Sequence, residues 1–392
     1  MKILSVNAGS SSLKFTGFEM PEEEVLISGV FERIGLDNSF NTIKLNGEKI
    51  KKEVDLPNHT VAFELLIKEL IDNNIVSSLD EIKGVGHRVV QGGAYFDKTE
   101  LATDEVISKI DELSELAPLH NPAAITGIKA AIEVMPNATQ TVVFDTAFHQ
   151  TMEPAEYMYA VPYAWYENYA VGKYGAHGTS HKYVSLRMNE ILGRDDTKLI
   201  TCHIGNGASI SAVRNGKCID TSMGLTPNAG LIMGTRCGDM DATVVTYAMQ
   251  KLGVTAKEMD TILNKESGML AISGVSSDSR DIEDGIKAGN ERCILAQEMY
   301  VKRVVEYIAK YYVLLGGCDA IIFTAGIGEN SAMTRKQILE KLAVLGIKLD
   351  ENANNVRGIE QRITTDDSSI PAYIIPTNEE LMIARDTYNL VD

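Results

Sequence analysis

The chain has 392 residues, and 37 Lys or Arg against 54 Asp or Glu give it a formal net charge of −17. Such an acidic surface repels nucleic acids and anionic membranes, so we exclude both as partners. The length predicts roughly two or three domains, and a hydrophobic content of 44% is enough to pack their cores. Five scattered cysteines without a C-x-x-C pair, and no signal peptide or long apolar span, favour reduced thiols in a cytoplasmic protein over disulfides or zinc.

Strands and helices alternate in the first part of the chain. Residues 1–15, MKILSVNAGSSSLKF, predict a strand at 3–6, a polar turn at 7–10 and a return strand at 11–15. A strand pair near 24–30 and 41–45, turning at Asn46-Gly47, and a helix at 60–71 follow. The strand at 84–90 contains Arg88 and ends in a Gly-Gly pair. A strand arginine is usually a surface residue, but the glycines leave an open site as the alternative.

The next elements place an acid at a strand end. Helices are predicted at 104–116 and from Asn121 to about 134, with Asn121 as N-cap and Pro122 in the first helical position. A buried strand at 141–144 then delivers Asp145 at its carboxyl end. Such an acid reaches a metal or substrate about as often as it caps a turn. The local sequence leaves both open.

Residues 152–174 are rich in Tyr and Pro, break the alternation and mark a domain transition. We therefore predict one domain over residues 1–150 and a second over 151–375. The segment YGAHGTSH at 174–181 leads into a helix. His177 and His181 have H-x-x-x-H spacing, but the Glu of a zinc-protease helix is missing, which disfavours zinc. A histidine in this place is more often a cap than a catalyst.

Residues 199–241 repeat the plan of residues 1–15. A strand at 199–202, a Gly-rich turn at 203–207 and a strand at 208–213 precede a hairpin turn at Asn215-Gly216. Glycines in such a turn let backbone N–H groups approach a phosphate. One turn of this kind would be an ordinary hairpin. Two copies predict a duplicated domain with a nucleotide held between the halves, the plan of the actin-like ATPase superfamily.

The remaining elements add further glycine-flanked polar residues. Arg236 lies in a Gly-rich loop, and a strand at 319–323 ends in a nucleotide-type loop, 324–330, that opens a helix. Pro376-Thr377-Asn378 caps a closing helix in which Glu379 would be a first-turn acid. The other predicted elements are helices at 241–251, 255–264, 291–315 and 379–388, a polar loop at 273–280 and a strand at 370–375.

These motifs together resemble the acetate kinase family, the acetokinases. The matching strings are VNAGSSSLKF, GHRVVQGG, PLHNP, FDTAFH, YGAHGTSH, HIGNGASI, TSMGLTP, MGTRCGD, SGVSSD, AGIGENS and PTNEELMIAR. They extend over nearly the whole chain, and sugar kinases and actins lack them. The resemblance implies an α/β fold of two duplicated actin-like (ribonuclease H-like) domains with an active-site cleft between them. The C-terminal helix, about 376–392, is expected to pack back on the first domain.

The resemblance also implies roles for individual residues. Arg88 and Arg236 would bind the carboxylate and the transferring phosphoryl group, and His177 with Arg236 would stabilise the transition state. Asp145 matches the family's catalytic acid, and Asn7 and Glu379 match its magnesium positions. The nucleotide positions are Lys14, His203, Ile204, Gly205, Asn206, Gly207, Asp278, Ser279, Arg280, Gly326, Ile327, Gly328, Glu329 and Asn330. Ser10 and Ser12 belong to the first phosphate turn, and the acyl pocket would comprise Val90, Leu119, Ala176 and Pro227.

The activity implied is reversible, direct in-line transfer of the ATP γ-phosphoryl group to acetate, giving acetyl phosphate and ADP. A carboxylate is already a nucleophile near neutral pH, so we interpret Asp145 as positioning or metal-organising rather than as a base. Mg²⁺, or Mn²⁺ in its place, is the implied cofactor. The implied partners are these small molecules and a second copy of the chain, in a homodimer through the second domain.

Three departures from the residues usual in the family involve four positions. Ala176 replaces Phe, Asn228-Ala229 replaces Leu-Glu, and Ser279 replaces Phe. The first two bear on the acyl pocket and the third on the nucleotide loop. A propionate kinase or broad short-chain carboxylate kinase is therefore the alternative.

Two other function classes share the expected fold. A chaperone-like nucleotide switch carries a separate peptide-binding domain, and no residues remain here for one. A sugar kinase needs a strong base for its hydroxyl acceptor and polar residues around the sugar. The Arg-rich, apolar pocket that the resemblance implies fits a small carboxylate better.

Overall fold

The computed structural model describes residues 1–118 and 120–391. The chain divides into two compact units. Unit 1 comprises Met1–Gln150 and Asn378–Asp392, and unit 2 comprises Thr151–Thr377. The C-terminal segment thus belongs to the same unit as the N-terminal strands. None of the helices in the described part of the chain has the length and apolar character needed to cross a bilayer.

Unit 1 is built on one mixed sheet of eight strands. Its strands are β1 (Lys2–Gly9), β2 (Ser12–Glu19), β3 (Glu24–Glu32), β4 (Phe40–Leu45), β5 (Glu48–Glu53), β6 (Ile82–Val89), β7 (Glu100–Leu101) and β8 (Thr139–Phe144). They lie in the order β5-β4-β3-β2-β1-β6-β8-β7. The parallel neighbours β1, β6 and β8 end at the same edge of the sheet.

In the described part of unit 1, four α-helices cover this sheet. They are α1 (His59–Asp72), α2 (Asp104–Glu112), α3 (Asn121–Val134) and, from the end of the chain, α15 (Glu379–Tyr388), and 3₁₀ helices lie at Leu79–Glu81, Leu113–Glu115 and Ala147–Thr151. Apolar side chains of α1, such as Phe63 and Leu66, pack with Phe15 and Phe31 of the strands. A second cluster contains Phe96 and Phe144, whose rings stack with centroids 4.3 Å apart.

Unit 2 is built on a mixed sheet of six strands in the order β11-β10-β9-β12-β14-β13. The strands are β9 (Lys198–Ile204), β10 (Ala208–Arg214), β11 (Lys217–Thr221), β12 (Ala320–Thr324), β13 (Gln361–Arg362) and β14 (Ala372–Ile374). The first three form an antiparallel meander, and β9, β12 and β14 are parallel. All residues of β12, and those of β9 after Lys198, are buried, as expected of strands covered on both sides.

The long helix α11 packs its apolar stripe against this sheet and forms the centre of the core of unit 2. The helices of the unit are α4 (Pro154–Tyr157), α5 (Tyr163–Tyr169), α6 (Gly178–Leu192), α7 (Ala242–Leu252), α8 (Ala256–Lys265), α9 (Gly268–Ser273), α10 (Ser279–Lys287), α11 (Glu291–Leu315), α12 (Ala325–Asn330), α13 (Ala332–Lys341) and α14 (Glu351–Asn354), with a 3₁₀ helix at Ala343–Leu345.

The two sheets share a strand order. In unit 1 the run β3-β2-β1-β6-β8 has the same pairing pattern as β11-β10-β9-β12-β14 in unit 2, namely an antiparallel meander followed by two parallel strands. In each unit the first hairpin turn of the meander, after β1 or β9, is a Gly-containing polar turn. The repeated plan predicted from the two sequence motifs is therefore present in the topology.

Three local predictions were wrong. Asn121 is the first residue of α3 rather than its N-cap, which is His120. Its fully buried side chain instead donates to the carbonyl oxygen of Gln91 and accepts from that residue's N–H. The Asn46-Gly47 turn joins β4 to β5 rather than β3 to β4. The polar loop predicted at 273–280 ends at Asp278, which caps α10 by accepting from the N–H of Arg280.

Candidate active site

In unit 1, the turn between β1 and β2 borders a cavity of about 380 Å³. Asn7 and Lys14 face each other in the antiparallel register of these strands, and both line the cavity. Its lining residues are Asn7, Ala8, Gly9, Ser12, Lys14, Val30, Glu32, Arg88, Val90, His120 and Ala124. Ser10, predicted in the same phosphate turn as Ser12, is exposed and is not among them. The cavity thus brings together predicted metal, nucleotide, carboxylate and acyl positions.

Arg88 and Asp145 are neighbours because β6 and β8 are adjacent parallel strands. Nη2 of Arg88 donates to Oδ2 of Asp145 at 2.6 Å, and Nε donates to the same oxygen at 3.0 Å. The carboxylate is buried, whereas the guanidinium is partly accessible to the cavity. The negative charge of Asp145 raises the pKa of Arg88 above its ordinary value, so the guanidinium remains charged.

Two glutamates at the start of α15 line a cavity together with Asn7, Lys14 and Arg88. A small cavity is lined by Ser5, Asn7, Lys14, Arg88, Glu379, Glu380 and Ile383. Glu380 forms an ion pair with Lys14. Burial, together with the charges of Asp145 and Glu380, raises the pKa of Glu379 to about 7, although Arg88 and Lys14 oppose the shift. A carboxylate in this environment gains from a cation beside it.

These residues suit Mg²⁺, which is bound partly by water and substrate, better than a metal whose ligands all come from the protein. No group of three or more His, Cys, Asp or Glu arranged to hold a metal occurs in residues 1–118 and 120–391. Mg²⁺ keeps several waters and binds through one or two carboxylates plus substrate phosphates. The Asn7 amide and the half-buried carboxyl of Glu379, both on one small cavity, are a donor set of that kind.

In unit 2, His177 is the N-cap residue of α6 and adopts a left-handed backbone conformation with φ of 67°. A non-glycine residue in this region is strained, and such strain is concentrated at functional sites. Its ring stacks on that of His203, with centroids 4.0 Å apart. His203 in turn lies 2.8 Å from Oγ of Ser180 through its Nδ1. The predicted catalytic and nucleotide histidines are therefore in contact.

His177 and Arg236 converge on Gly207. A side chain at Gly207 would place its Cβ 3.4 Å from Nη1 of Arg236 and 3.6 Å from Nε2 of His177. Because Gly207 has no side chain, both nitrogen groups border the space beside its Cα. Nη1 of Arg236 also donates to the carbonyl oxygen of Pro227 at 3.1 Å. Burial lowers the pKa of Arg236 from its ordinary value, so this cation gains when an anion is placed beside it.

A second, larger cavity of about 590 Å³ lies in unit 2 next to the same turn. Its lining residues are Asn206, Ser277, Asp278, Ser279, Arg280, Glu283, Gly326, Ile327, Asn330, Ser331 and Arg357. The side chain of Asn206 lies directly against Gly234. A Cβ atom on residue 234 would be only 1.7 Å from Oδ1 of Asn206. The loops after β9 and β12 approach because these strands are parallel neighbours. The cavity has the volume expected of a small-molecule site.

Several predicted nucleotide residues do not line this cavity. Ile204 is fully buried in the core, and Gly205 borders a small adjoining pocket instead. The carboxylate of Glu329 accepts from the N–H groups of Ala325 at 2.8 Å and Thr377 at 3.1 Å, so it closes a backbone turn. The carbonyl of Gly328 accepts from the buried Arg335 at 2.9 Å. The Gly loop predicted at 324–330 is largely helix α12, and three of its five predicted nucleotide residues reach the cavity.

Asp278 and Arg280 form an ion pair at the entrance of α10, with Nη2 of Arg280 at 2.6 Å from Oδ2 of Asp278. This hydrogen bond lowers the pKa of Asp278 to about 2. The pair lines the cavity, and the Arg280 side chain is 85% exposed. Ser279, the position that departs from the family pattern, lines both the cavity and the adjoining pocket.

The predicted acyl residues are distributed over both units. Val90 lines the unit 1 cavity beside Arg88. Ala176 is buried in unit 2, and its carbonyl accepts a hydrogen bond from Ser209. Pro227 is partly exposed next to Arg236. Leu119 lies outside the described residues.

Sequence analysis missed four residues of the unit 2 cavity and, among the titratable residues that line the unit 1 cavities, three. These are Ser277, Glu283, Ser331 and Arg357 in unit 2, and Glu32, His120 and Glu380 in unit 1. Glu380 could have been found from its neighbour Glu379, and Ser277 from the adjacent Asp278. Arg357 lies in an irregular segment without a motif, so only the structure identifies it.

Comparisons with known proteins show the family of the chain. The profile of the Acetokinase family matches residues 2–385. The chain is 54% identical to an acetate kinase of Geobacillus sp. (strain WCH70), over 100% of this chain and 99% of the relative. It is 52% identical to "Acetate kinase 2" of Listeria monocytogenes serotype 4b (strain F2365), over 98% of each chain.

Solved structures give the same result. The fold is similar to that of Porphyromonas gingivalis acetate kinase, with a TM-score of 0.95, 46% identity and full coverage of both chains. It is also similar to a propionate kinase from Francisella tularensis, with a TM-score of 0.93 and 42% identity over 99% of each chain. The predicted family and α/β fold class are confirmed. The chain therefore belongs to the acetokinase family.

Proposed function

We propose that the protein is an acetate kinase, which reversibly transfers the γ-phosphoryl group of ATP to acetate and forms acetyl phosphate and ADP. The observation that carries phosphoryl transfer is the convergence of His177 and Arg236 on the space above Gly207. Phosphoryl transfer depends on positioning and on donors that stabilise charge on the equatorial oxygens. The choice of acetate rests on the names of the relatives that are similar over their full length.

In this proposal, unit 1 binds the acyl acceptor. Arg88 already holds Asp145 through Nε and Nη2, and the guanidinium lines the cavity that also contains the apolar side chain of Val90. A planar guanidinium matches a carboxylate, and an apolar neighbour suits a methyl group. Asp145 keeps Arg88 oriented. It does not need to remove a proton, because acetate is already ionised near neutral pH.

Unit 2 binds the nucleotide. The cavity beside Asn206 takes the nucleoside, with Asp278, Ser279 and Arg280 on one side and Gly326, Ile327 and Asn330 on the other. The phosphates extend toward the turn at Gly207, where His177 and Arg236 contact the transferring group. Direct transfer needs no enzyme nucleophile, and the two donors are those that in-line transfer requires.

Mg²⁺ is the cofactor in this proposal, and Mn²⁺ can replace it. Asn7 and Glu379 would hold it. When bound, the ion neutralises charge on the nucleotide phosphates and on the group in transfer. Glu380 is paired with Lys14 and orders the lysine beside this site.

The homodimer remains part of the proposal. Helix α7 (Ala242–Leu252) has no buried side chain, and Val244, Tyr247 and Leu252 on it are exposed. An apolar helix surface of this kind is typical of a protein interface. A second copy of the chain through unit 2 would cover it.

Trapping with hydroxylamine tests the reaction. With ATP, Mg²⁺ and acetate, acyl phosphate should be captured as the hydroxamate, in proportion to the ADP formed. ADP without hydroxamate would show that the protein is an ATPase and not a carboxylate kinase.

Propionate is the alternative acceptor, favoured by the small side chain of Ala176 and by the likeness to a propionate kinase structure. One extra methylene is worth about 0.8 kcal/mol when buried, roughly a fourfold gain. We expect acetate to have the highest kcat/KM, with propionate well accepted. The same assay with acetate, propionate and butyrate decides this, and a higher kcat/KM for propionate would reassign the substrate.

A further inference from the structure

Ser209 joins two histidines in unit 2. Its Oγ lies 2.8 Å from Nδ1 of His177 and 2.8 Å from Nε2 of His181. On the other side of the His181 ring, Nδ1 lies 2.7 Å from Oγ1 of Thr201. Ser209, His181 and Thr201 are fully buried. A continuous chain of hydrogen bonds therefore leads from the core of unit 2 to the ring that faces Gly207.

The donors in this chain follow when each hydroxyl is taken to donate along its shorter contact. The Thr201 hydroxyl has one hydrogen, and its acceptors are Nδ1 of His181 at 2.7 Å and the carbonyl of Ser211 at 3.4 Å. The shorter contact makes Thr201 the donor to His181. Neutral His181 then has its own hydrogen on Nε2 and donates it to Ser209.

The Ser209 hydroxyl also has one hydrogen. Its remaining acceptors are Nδ1 of His177 at 2.8 Å and the carbonyl oxygen of Ala176 at 3.2 Å. The shorter contact again decides, so Ser209 donates to Nδ1 of His177. With Nδ1 as an acceptor, the neutral imidazole of His177 has its hydrogen on Nε2. This is the nitrogen that borders the space beside Gly207, 3.6 Å from where a Cβ on that residue would lie.

We propose that Ser209 and His181 are positioning residues that hold His177 in its Nε2–H tautomer. The proposal rests on the proposed function, in which His177 donates a hydrogen bond to the transferring phosphoryl group. A fixed tautomer lets the neutral ring donate that bond at every turnover. The histidine then needs no proton from solvent.

The charged and titratable groups around His177 favour a neutral ring. In unit 2 these are the guanidinium of Arg236, which faces the same space, the stacked ring of His203, and His181 through Ser209. A nearby positive charge disfavours protonation of an imidazole. Two rings 4.0 Å apart also cannot both become cations without repulsion. A donor that works while neutral avoids this repulsion.

The test is Ser209→Ala. Without the hydroxyl, His177 loses the partner that selects its tautomer, and we expect kcat to fall about 10- to 100-fold, as when the outer partner of a functional histidine is removed. KM for ATP and acetate should change less than about twofold, because no ligand contact is lost. The pH dependence should change as well. In the variant only the imidazolium is certain to have hydrogen on Nε2, so kcat should fall as the ring loses its proton at higher pH.

Nitrogen NMR of ¹⁵N-histidine-labelled protein gives a readout that is independent of activity. The resonances of His177 are assigned by comparison with His177→Gln. We expect the Nε2–H tautomer in the unmodified protein and a mixture of tautomers in Ser209→Ala. Ser211→Ala is the matched control. Ser211 lies on the same strand, is equally buried and bonds Thr221 at 2.9 Å, so its loss should change neither the pH profile nor the tautomer.

A Ser209→Ala variant with the parental pH profile and the parental tautomer would overturn the proposal. If that variant does not fold, the unmodified protein still decides, because an Nδ1–H tautomer of His177 contradicts the assignment. Failure of the proposed function has a different signature. In that case the unmodified protein would form no hydroxamate from ATP and acetate, whereas the NMR measurement would still report whether Ser209 fixes the ring.

Discussion

The guanidinium of Arg88 holds the carboxylate of Asp145 with Nε at 3.0 Å and Nη2 at 2.6 Å from Oδ2. Nη1 makes no hydrogen bond to any residue in the described part of unit 1, so it is available to a ligand in the cavity. The carboxylate is buried and occupied by this contact. In the proposed function, this arrangement lets Asp145 orient a cation rather than accept a proton from substrate.

Arg88→Lys should reduce turnover at least about 100-fold and raise KM for acetate, because an ammonium cannot hold Asp145 and a carboxylate in one plane. Lysine keeps a positive charge near the buried Asp145, so the loss of stability should stay near 1–2 kcal/mol. Steady-state kinetics and thermal unfolding measure the two effects. The control is Arg33→Lys, an exposed arginine of unit 1 whose Nε donates only to the carbonyl of Asp37. Near-normal turnover in folded Arg88→Lys would remove Arg88 from the site.

Glu379 predicts a pH-dependent stability. Burial raises its pKa to about 7, above the ordinary value of 4.5, so the folded state binds the proton more tightly than the unfolded state. This contribution to stability is complete below about pH 4.5 and is lost as the pH rises through about 7. Glu379→Gln mimics the protonated group. The difference in thermal midpoint between this variant and the unmodified protein, measured without Mg²⁺, should increase from pH 5 to pH 8. The corresponding change in the free energy of unfolding should be on the order of 1 kcal/mol or more.

Glu23→Gln provides a control of opposite sign. A hydrogen bond from Arg385 lowers the pKa of Glu23, so its contribution is present above the unfolded pKa and is lost as the pH falls. The midpoint of Glu23→Gln relative to the unmodified protein should therefore decrease as the pH rises from about 3 to 6. If both variants shift in the same direction, the environment assigned to Glu379 is incorrect.

The elements that the sequence predicted most accurately are those with strong hydrophobic periodicity and a clear capping residue. The bounds of α11 (Glu291–Leu315) and α15 (Glu379–Tyr388) are the predicted ones, and in both an asparagine side chain caps the first turn. Strand β5 was missed because all six of its residues are exposed, so it has no apolar alternation. The Asn121 error arose because its amide serves the Gln91 backbone, a contact distant in sequence.

The candidate site was predicted in the same uneven way. Asn7, Arg88 and Glu379 lie in three separate parts of the sequence, and they line one cavity because β1, β6 and α15 are neighbours in unit 1. The motifs that carry the resemblance supplied these residues, whereas composition and periodicity did not. The same motifs could not distinguish residues that reach a cavity, such as Asn330, from those that close a turn, such as Glu329.

Arg357 should contribute to nucleotide binding. It is exposed at the unit 2 cavity, and no acidic side chain pairs with it in the described part of that unit, whereas Arg280 is paired with Asp278. Arg357→Gln should raise KM for ATP about 3- to 10-fold, equivalent to about 1 kcal/mol. KM for acetate should not change, and the effect should shrink as ionic strength rises.

Arg362→Gln is the matched control for this measurement. Arg362 lies nearby in sequence on β13 and forms an ion pair with Asp366 at 3.2 Å, away from the cavity lining. It should leave KM for ATP unchanged. Equal KM values for ATP in the Arg357 and Arg362 variants would exclude Arg357 from the nucleotide site.

Gly207 offers the most direct test of where transfer occurs. A methyl group at this position would meet Nη1 of Arg236 at 3.4 Å and Nε2 of His177 at 3.6 Å, which are ordinary contact distances. Gly207 has no positive φ, so alanine is compatible with its backbone. Gly207→Ala should therefore fold normally, with a thermal midpoint within about 2 °C of the unmodified protein. The methyl group would nevertheless occupy the space in which both donors are proposed to meet the phosphoryl group, so kcat should fall at least about 100-fold.

Gly172→Ala is the control for this prediction, because a Cβ on Gly172 would meet its nearest atoms at 3.5 and 3.6 Å, in another part of unit 2. If Gly207→Ala and Gly172→Ala have the same kcat, the phosphoryl group does not pass between His177 and Arg236.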